Sequence, residues 1–167
     1  RSRRQRQMCI RDRFGIPWQL DFYNPDALKK IIQNNSLKFG YDISEEATLE
    51  IAKRSRGTPR IAIRLLKRIL DFAIVKDMQL IDLKLVSDSL DLMRIDSAGL
   101  DDMDRKYWGC IINNYSGGPV GIDTLSAALL EQRDIIEDVI EPYLMQKGFV
   151  QRTPRGRIIT KKGTDHL

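Results

Sequence analysis

Apolar positions fall into short stretches of helical period, each opened by a capping residue. Asn24-Pro25-Asp26 reads as an N-cap, a proline at the first helical position and an acid in the first turn. It predicts a helix to about Asn34 with Leu28, Ile31 and Ile32 inward. Ser44 caps a second, with Glu45 and Glu46 in its first turn and Leu49, Ile51 and Ala52 as its buried side. A third opens at Gly57-Thr58-Pro59, where glycine breaks the preceding helix, threonine suits the N-cap and proline the first helical position. From about Ile61 to Val75, the apolar Ile61, Leu65, Ile69 and Phe72 recur at spacings of four and three, while Arg60, Arg64, Lys67 and Arg68 share another face. Asp82 caps a fourth, on which Leu83, Val86, Leu90 and Met93 keep helical spacing. Four short helices over residues 24–94 predict a small bundle.

Ser97-Ala98-Gly99 is the loosest point of the chain and marks a change of segment. Beyond it, Asp101-Asp102-Met103-Asp104 starts a helix through Asn114, with solvated acids that suit the helix dipole. Gly117-Gly118-Pro119-Val120-Gly121 cannot be helical. Asp123 caps a short helix from Thr124 to Leu130. A third runs from near Ile135 to Lys147, interrupted and kinked by Pro142 and ended by Gly148. The stretches Phe149-Val150-Gln151-Arg152 and Arg157-Ile158-Ile159-Thr160 flank Thr153-Pro154-Arg155-Gly156, the pattern of a two-stranded hairpin. Three helices and a hairpin wing predict a winged helix over residues 97–167. The fold class is therefore mainly α, a four-helix bundle followed by a winged-helix domain.

Composition narrows the chemistry. At 167 residues and 42% hydrophobic, the chain holds two small domains, each with a modest core. No apolar run is long enough to span a bilayer, so no membrane is expected, and Cys9 and Cys110 are isolated, which fits a reducing cytoplasm. The net charge of +5 is deceptive. Six arginines (1, 3, 4, 6, 11 and 13) against Asp12 already supply +5, so the rest sums to zero and only local clusters can argue for anionic partners. Two exist, Arg54 to Arg68 and Arg152 to Lys162. His166 is the only histidine, which excludes histidine triads and histidine metal sites; no metal site is expected.

Arg60 stands where free backbone N–H groups and the helix dipole favour negative charge, so its guanidinium either completes a phosphate site or belongs to an ordinary solvated basic face. The motif around it is specific. Arg56-Gly57-Thr58-Pro59-Arg60-Ile61-Ala62, then Arg64-Leu65-Leu66 and Asp71-Phe72-Ala73, resembles the sensor-2 helix in the AAA+ lid of the RuvB family, bacterial Holliday-junction branch-migration motors. Met103-Asp104-Arg105-Lys106, Gly117 to Gly121, Ile136 to Val139, Glu141-Pro142-Tyr143-Leu144 and Arg152 to Arg157 are similar to successive blocks of that family's head domain. The resemblance runs from about Arg11 to Leu167, with departures at Ile63, Trp108 and Tyr115.

The resemblance implies roles. Arg60 would contact nucleotide phosphates from the lid, Pro59 would lie against the nucleotide, and Tyr23 at the hinge would pack by the adenine. Residues 11–23, with an alternating strand at Trp18 to Tyr23, would end a large ATPase domain; Arg13 would be the arginine finger reaching into a neighbouring subunit's ATP site. Residues 1–10 resemble translated adapter sequence and are expected to be a non-native leader. In the head, Arg152, Arg155, Arg157 and Arg133 would grip DNA backbone, while Glu137, Asp138 and Glu141 would keep the third helix out of a major groove. ATP with Mg2+, duplex DNA at Holliday junctions, a homohexamer, RuvA and RuvC are the implied cofactors and partners. No Gly-x-x-x-x-Gly-Lys-Ser/Thr loop occurs in the sequence, so the chain alone is expected not to hydrolyse ATP. A winged-helix regulator without motor activity, and the lid and winged helix of another AAA+ protein such as an initiator or clamp loader, are the competing readings.

Overall fold

The computed structural model describes residues 21–166. The leader, Arg13 and the first half of the expected strand at Trp18 to Tyr23 lie outside the described residues; Asp21 to Asn24 have no regular structure.

The first core is built by four helices. α1 (Pro25–Lys38) is capped by Asn24, whose side chain accepts from Ala27 N at 2.8 Å. It passes the expected end at Asn34, because Asn35 donates back to the Ile31 carbonyl at 2.7 Å and Ser36, buried on the same stripe as Leu28 and Ile32, donates to Tyr41 O at 2.9 Å. α2 (Glu45–Arg54) is capped by Ser44 and buries Ala47, Thr48, Ile51 and Ala52; Leu49 stays half-buried, so its inward stripe differs from the expected one. α3 (Pro59–Val75) buries Leu65 and Ile69, with Ala62, Leu66, Leu70 and Ala73 beside them. α4 (Leu83–Leu92) is capped by Asp82, and Leu85 takes the buried place expected of Leu83, which is 45% exposed. β1 (Asp42–Ile43) and β2 (Leu80–Ile81) pair in parallel between the helices, an addition too short to show in the sequence. Leu28, Ile32, Ile51, Leu66, Ile69 and Leu90 are all within 1% of complete burial, each contributing ~1.5–3 kcal/mol by leaving water.

A second, separate core belongs to the C-terminal half and gathers Leu100, Tyr107, Trp108, Ile111, Leu125, Ile136 and Leu144. α5 (Asp102–Gly109) starts with a capping box between Asp101 and Asp104 and continues as a π-helical segment, Cys110–Asn114. α6 (Ile122–Leu129) begins one turn-residue after Gly121, with Asp123 in the first turn making no cap; Val120, paired to Arg157 through two backbone hydrogen bonds of 2.9 and 2.8 Å, sets that start instead. α7 (Arg133–Ile135), the π-helical segment Ile136–Ile140 and α8 (Glu141–Gln146) follow without a break. Pro142 therefore does not interrupt the third helix as expected. The wider π turn directly ahead of it takes up the missing N–H and the ring's clash with the preceding turn.

β3 (Val150–Thr153) and β4 (Gly156–Ile159) form the expected antiparallel wing around Pro154-Arg155, with Arg152 directly opposite Arg157. Gly156, at φ +139°, lets the Val120 carbonyl approach to 2.4 Å of where a Cβ would stand. α9 (Lys161–His166) closes the chain, His166 stacking on Trp108 and Phe149. Among the described residues no helix is long and apolar enough to cross a membrane.

Candidate functional site

Two places in this fold gather cations, and they treat them differently. At the first, Thr58 occupies the N-cap of α3 with extended backbone, but its hydroxyl makes no cap bond and donates to Arg56 O at 3.3 Å. The start of this 17-residue helix thus has no side-chain cap, at the positive end of its dipole. Arg60 sits on that end, exposed, with no hydrogen bond or ion pair among the described residues; the same holds for Arg64 one turn on. Lys67 lies over the Phe39 ring at 5.7 Å and Arg68 makes a loose 3.4 Å pair with Asp71. Together with Ile63 these side chains line a groove of about 780 Å³. Pro59 has no N–H, and the Ile61 and Ala62 N–H groups already bond Thr58 O at 3.1 and 3.0 Å, so what this end offers an anion is the helix dipole and the Arg60 guanidinium.

The chain entering the first core is tied to the same spot. Tyr23 N donates to Gly57 O at 2.9 Å, and Phe22 packs so closely on Gly57 that a Cβ there would meet its Cβ at 2.8 Å. Tyr23 as a residue is 50% exposed. Pro59 is half-buried at the first helical position.

The wing is the second place. Glu141, fully buried, accepts from Tyr107 Oη at 3.0 Å, from Arg157 Nε at 2.7 Å and from Arg152 Nε at 2.8 Å. Glu137 accepts from Arg157 Nη2 at 2.9 Å and pairs with Arg133 at 3.5 Å. Burial works against the Glu137 charge, yet the Arg157 hydrogen bond and the charges of Arg133 and Arg152 hold its carboxyl below the usual range. Burial pushes the Tyr107 hydroxyl well up, and the Glu141 charge adds to it. Arg157 is only 8% exposed and its guanidinium is held by two carboxylates, so it does not present itself to a phosphate as the sequence suggested. The repulsive role expected of Glu137 and Glu141 is corrected for the same reason: both are neutralised by arginines, and of the three acids only Asp138 is exposed. Arg155, at the turn, is exposed and unpaired among the described residues; Arg152 keeps 38% of its side chain exposed, and Arg133 keeps 55% while pairing also with Asp123 at 3.6 Å.

Between the two places lies a contact that sequence reasoning missed. Asp104 is no solvated first-turn acid but is 1% exposed, accepting from Arg56 of the α2–α3 turn and from Asp101 N at 2.9 Å. Burial pushes its carboxyl up to about 6 against the pull of Arg56. Arg56 and Asp104 stand 48 residues apart, so no local spacing signals the pair. Among the described residues no group of three or more His, Cys, Asp or Glu is placed to hold a metal ion.

Known proteins share this fold. The family description RuvB AAA lid domain matches residues 23–96, and RuvB C-terminal winged helix domain matches residues 97–167. The Holliday junction branch migration complex subunit RuvB of Rickettsia africae is 52% identical over 95% of the chain and 46% of its own length. Solved structures of Thermotoga maritima RuvB, described as a Holliday junction branch migration motor, superpose with a TM-score of 0.90 at 47% identity, over 95% of this chain and 53% of theirs. The chain thus spans about half the length of the relatives it matches. With one description on each of its two cores, in the same order as in those relatives, the chain belongs to the RuvB family and carries its AAA lid and its C-terminal winged helix.

Proposed function

We propose that the chain is the lid and DNA-binding head of an ATP-dependent DNA helicase that drives branch migration of Holliday junctions in recombination and repair. The observation that carries this reading is Arg60, exposed and without a hydrogen-bond or ion-pair partner among the described residues, at the N-terminus of α3, where Thr58 makes no side-chain cap bond, next to Pro59 and to the Tyr23 backbone held on Gly57. A nucleotide phosphate placed there would take a charge-assisted bond from Arg60, with Pro59 and the Tyr23 ring flanking the nucleoside. Mg2+ and the β- and γ-phosphates would be held by a Walker-type loop, which the 167 residues do not contain, so the chain alone is not expected to turn over ATP. Motion gained there would act on duplex DNA through the head. Arg155 and Arg152, with Arg133 behind them, are the backbone contacts we assign, and Arg157 acts by holding the wing in place. A motor that crosses every sequence needs phosphate contacts, since base readout would stall it.

The family reading extends to a homohexamer, to RuvA and RuvC as partners and to the cytoplasm. In such a ring Arg13 would act as an arginine finger on the neighbouring subunit. The test of that role is a mixture: Arg13→Ala rings bind ATP without hydrolysing it, and adding subunits that keep Arg13 but cannot bind nucleotide restores turnover; absence of rescue removes the role. The test of the function as a whole is Arg60→Ala in an intact parent. ATP turnover collapses while the helical content of the lid stays; normal turnover overturns the reading.

A further inference from the structure

The short turn between α2 and α3 does more than start the helix that carries Arg60. Arg56, in left-handed backbone conformation at φ +53°, is followed by Gly57 at φ +66°, and this reversal throws the Arg56 side chain out of its own domain. Its guanidinium meets three separate parts of the C-terminal half. Nε donates to Gly99 O at 2.7 Å; Nη2 pairs with Asp104 and, at 3.3 Å, with Asp101 at the start of α5; the plane lies 5.0 Å from the centre of the Tyr143 ring of α8. Tyr143 in turn donates to Ala98 O at 2.5 Å, and Arg54 reaches Ile95 O at 2.9 Å. Neither member of the central pair is solvated: 12% of the Arg56 side chain and 2% of the Asp104 side chain are exposed. Gly99 is part of the same fit, since a Cβ on it would stand 2.5 Å from Arg54 O. The two domains otherwise have separate cores.

We infer that Arg56 is a positioning residue that clamps the winged helix onto the Arg60 end of the lid, so that any displacement of the α3 N-terminus reaches the head as a rigid-body movement. A planar guanidinium can serve a carbonyl, two carboxylates and an aromatic face together, which an ammonium cannot. Breaking a buried pair by removing one partner leaves the other charge uncompensated, so the clamp has two well-separated states, closed and lost. The functional meaning of the clamp rests on the reading above, that Arg60 faces nucleotide and the wing faces DNA; its mechanical part does not.

The test uses this chain with Cys9→Ser and spin labels on two exposed positions, Lys84→Cys in α4 and Ala127→Cys in α6, read by pulsed dipolar spectroscopy. The parent shows one narrow distance distribution. Arg56→Ala, Asp104→Asn and Arg56→Lys each lose it, whereas Arg68→Ala, which removes only the surface pair with Asp71, keeps it. A narrow distribution in Arg56→Ala or Asp104→Asn overturns the clamp, and one in Arg56→Lys overturns its dependence on the guanidinium fork. Circular dichroism separates positioning from folding: loss of helix in Arg56→Ala and in Asp104→Asn alike would make Arg56 an ordinary core ion pair and overturn the inference. In an intact parent, Arg56→Ala keeps ATP turnover and duplex binding but loses strand movement per ATP. Unchanged movement with a broadened distance overturns the coupling role, while a parent without ATP-driven movement removes the functional reading and leaves the distance result to judge the clamp.

Discussion

The two basic clusters, Arg54 to Arg68 and Arg152 to Lys162, have the same kind of composition and opposite fates. On α3, Arg60 and Arg64 are exposed and make no side-chain hydrogen bond or ion pair among the described residues, so their charge is open to a ligand. On the wing, Arg152 and Arg157 stand opposite each other across the two strands, a like-charge pair made tolerable by Glu141 and Glu137 beneath them. The lesson is that an arginine count predicts neither affinity for anions nor stability; the element packed against each arginine decides which of the two it serves. The first cluster even contains both kinds, since Arg54 and Arg56 are bound while Arg60 and Arg64 have no ion-pair partner among the described residues.

The contrast is broken most strongly at Glu141. Glu141→Ala leaves Arg157 buried without its main counter-charge and is expected to cost ~3–5 kcal/mol in urea unfolding of the chain. Arg64→Ala, by the same measurement, should stay within about 0.5 kcal/mol, because Arg64 is exposed and makes no hydrogen bond or ion pair among the described residues. Equal losses at the two sites would erase the distinction.

Asp104 sharpens the closed half of the first cluster through pH. Its folded pKa, about 6, lies above the ordinary 3.8, so the native state holds that proton more tightly than the unfolded chain. The stability it lends is therefore complete below about pH 4 and lost as pH rises through about 6. Unfolding titrations of the chain and of Asp104→Asn should differ in slope across that window and run parallel above it. A difference confined to alkaline pH would contradict the assignment.

For the open half, loss of one charge-assisted contact at Arg60 should remove ~1.5–3 kcal/mol of interaction, or about 10- to 100-fold in kcat/KM of an intact parent. The smallest effect is expected at the wing tip. Arg155→Ala should weaken binding of this chain to unrelated duplexes about equally and lower the slope of log K against log salt by about 0.9, one phosphate contact. An unchanged slope would place the DNA contacts elsewhere.

Much of this was legible in the residues. Caps at Asn24, Ser44 and Asp82 form the hydrogen bonds their positions imply, and the hairpin turns where Pro154-Arg155 said it would; the Asp101–Asp104 capping box was not foreseen. Thr58 and Asp123 look like equally good caps and do not serve as such, because backbone contacts from elsewhere, Tyr23 to Gly57 and Val120 to Arg157, settle how those turns are held. Pro142 misled for a related reason: a π-helical segment absorbs it, and only the surrounding packing selects that register.

Sequence alone determined most of the helices (though not α9), the two-domain order, the open basic face of α3 and the family, since all of these rest on short-range periodicity and on contiguous motifs. It also placed Arg60 correctly on an exposed helix start. Tertiary structure alone decided which cations are spent inside the molecule. The partners of Arg152 and Arg157 lie 11, 16 and 20 residues away, and that of Arg56 lies 48 away. Charge pairing acts through space and its strength is set by burial, so a sequence that displays every charge still does not say which ones meet, or how far from water they do so.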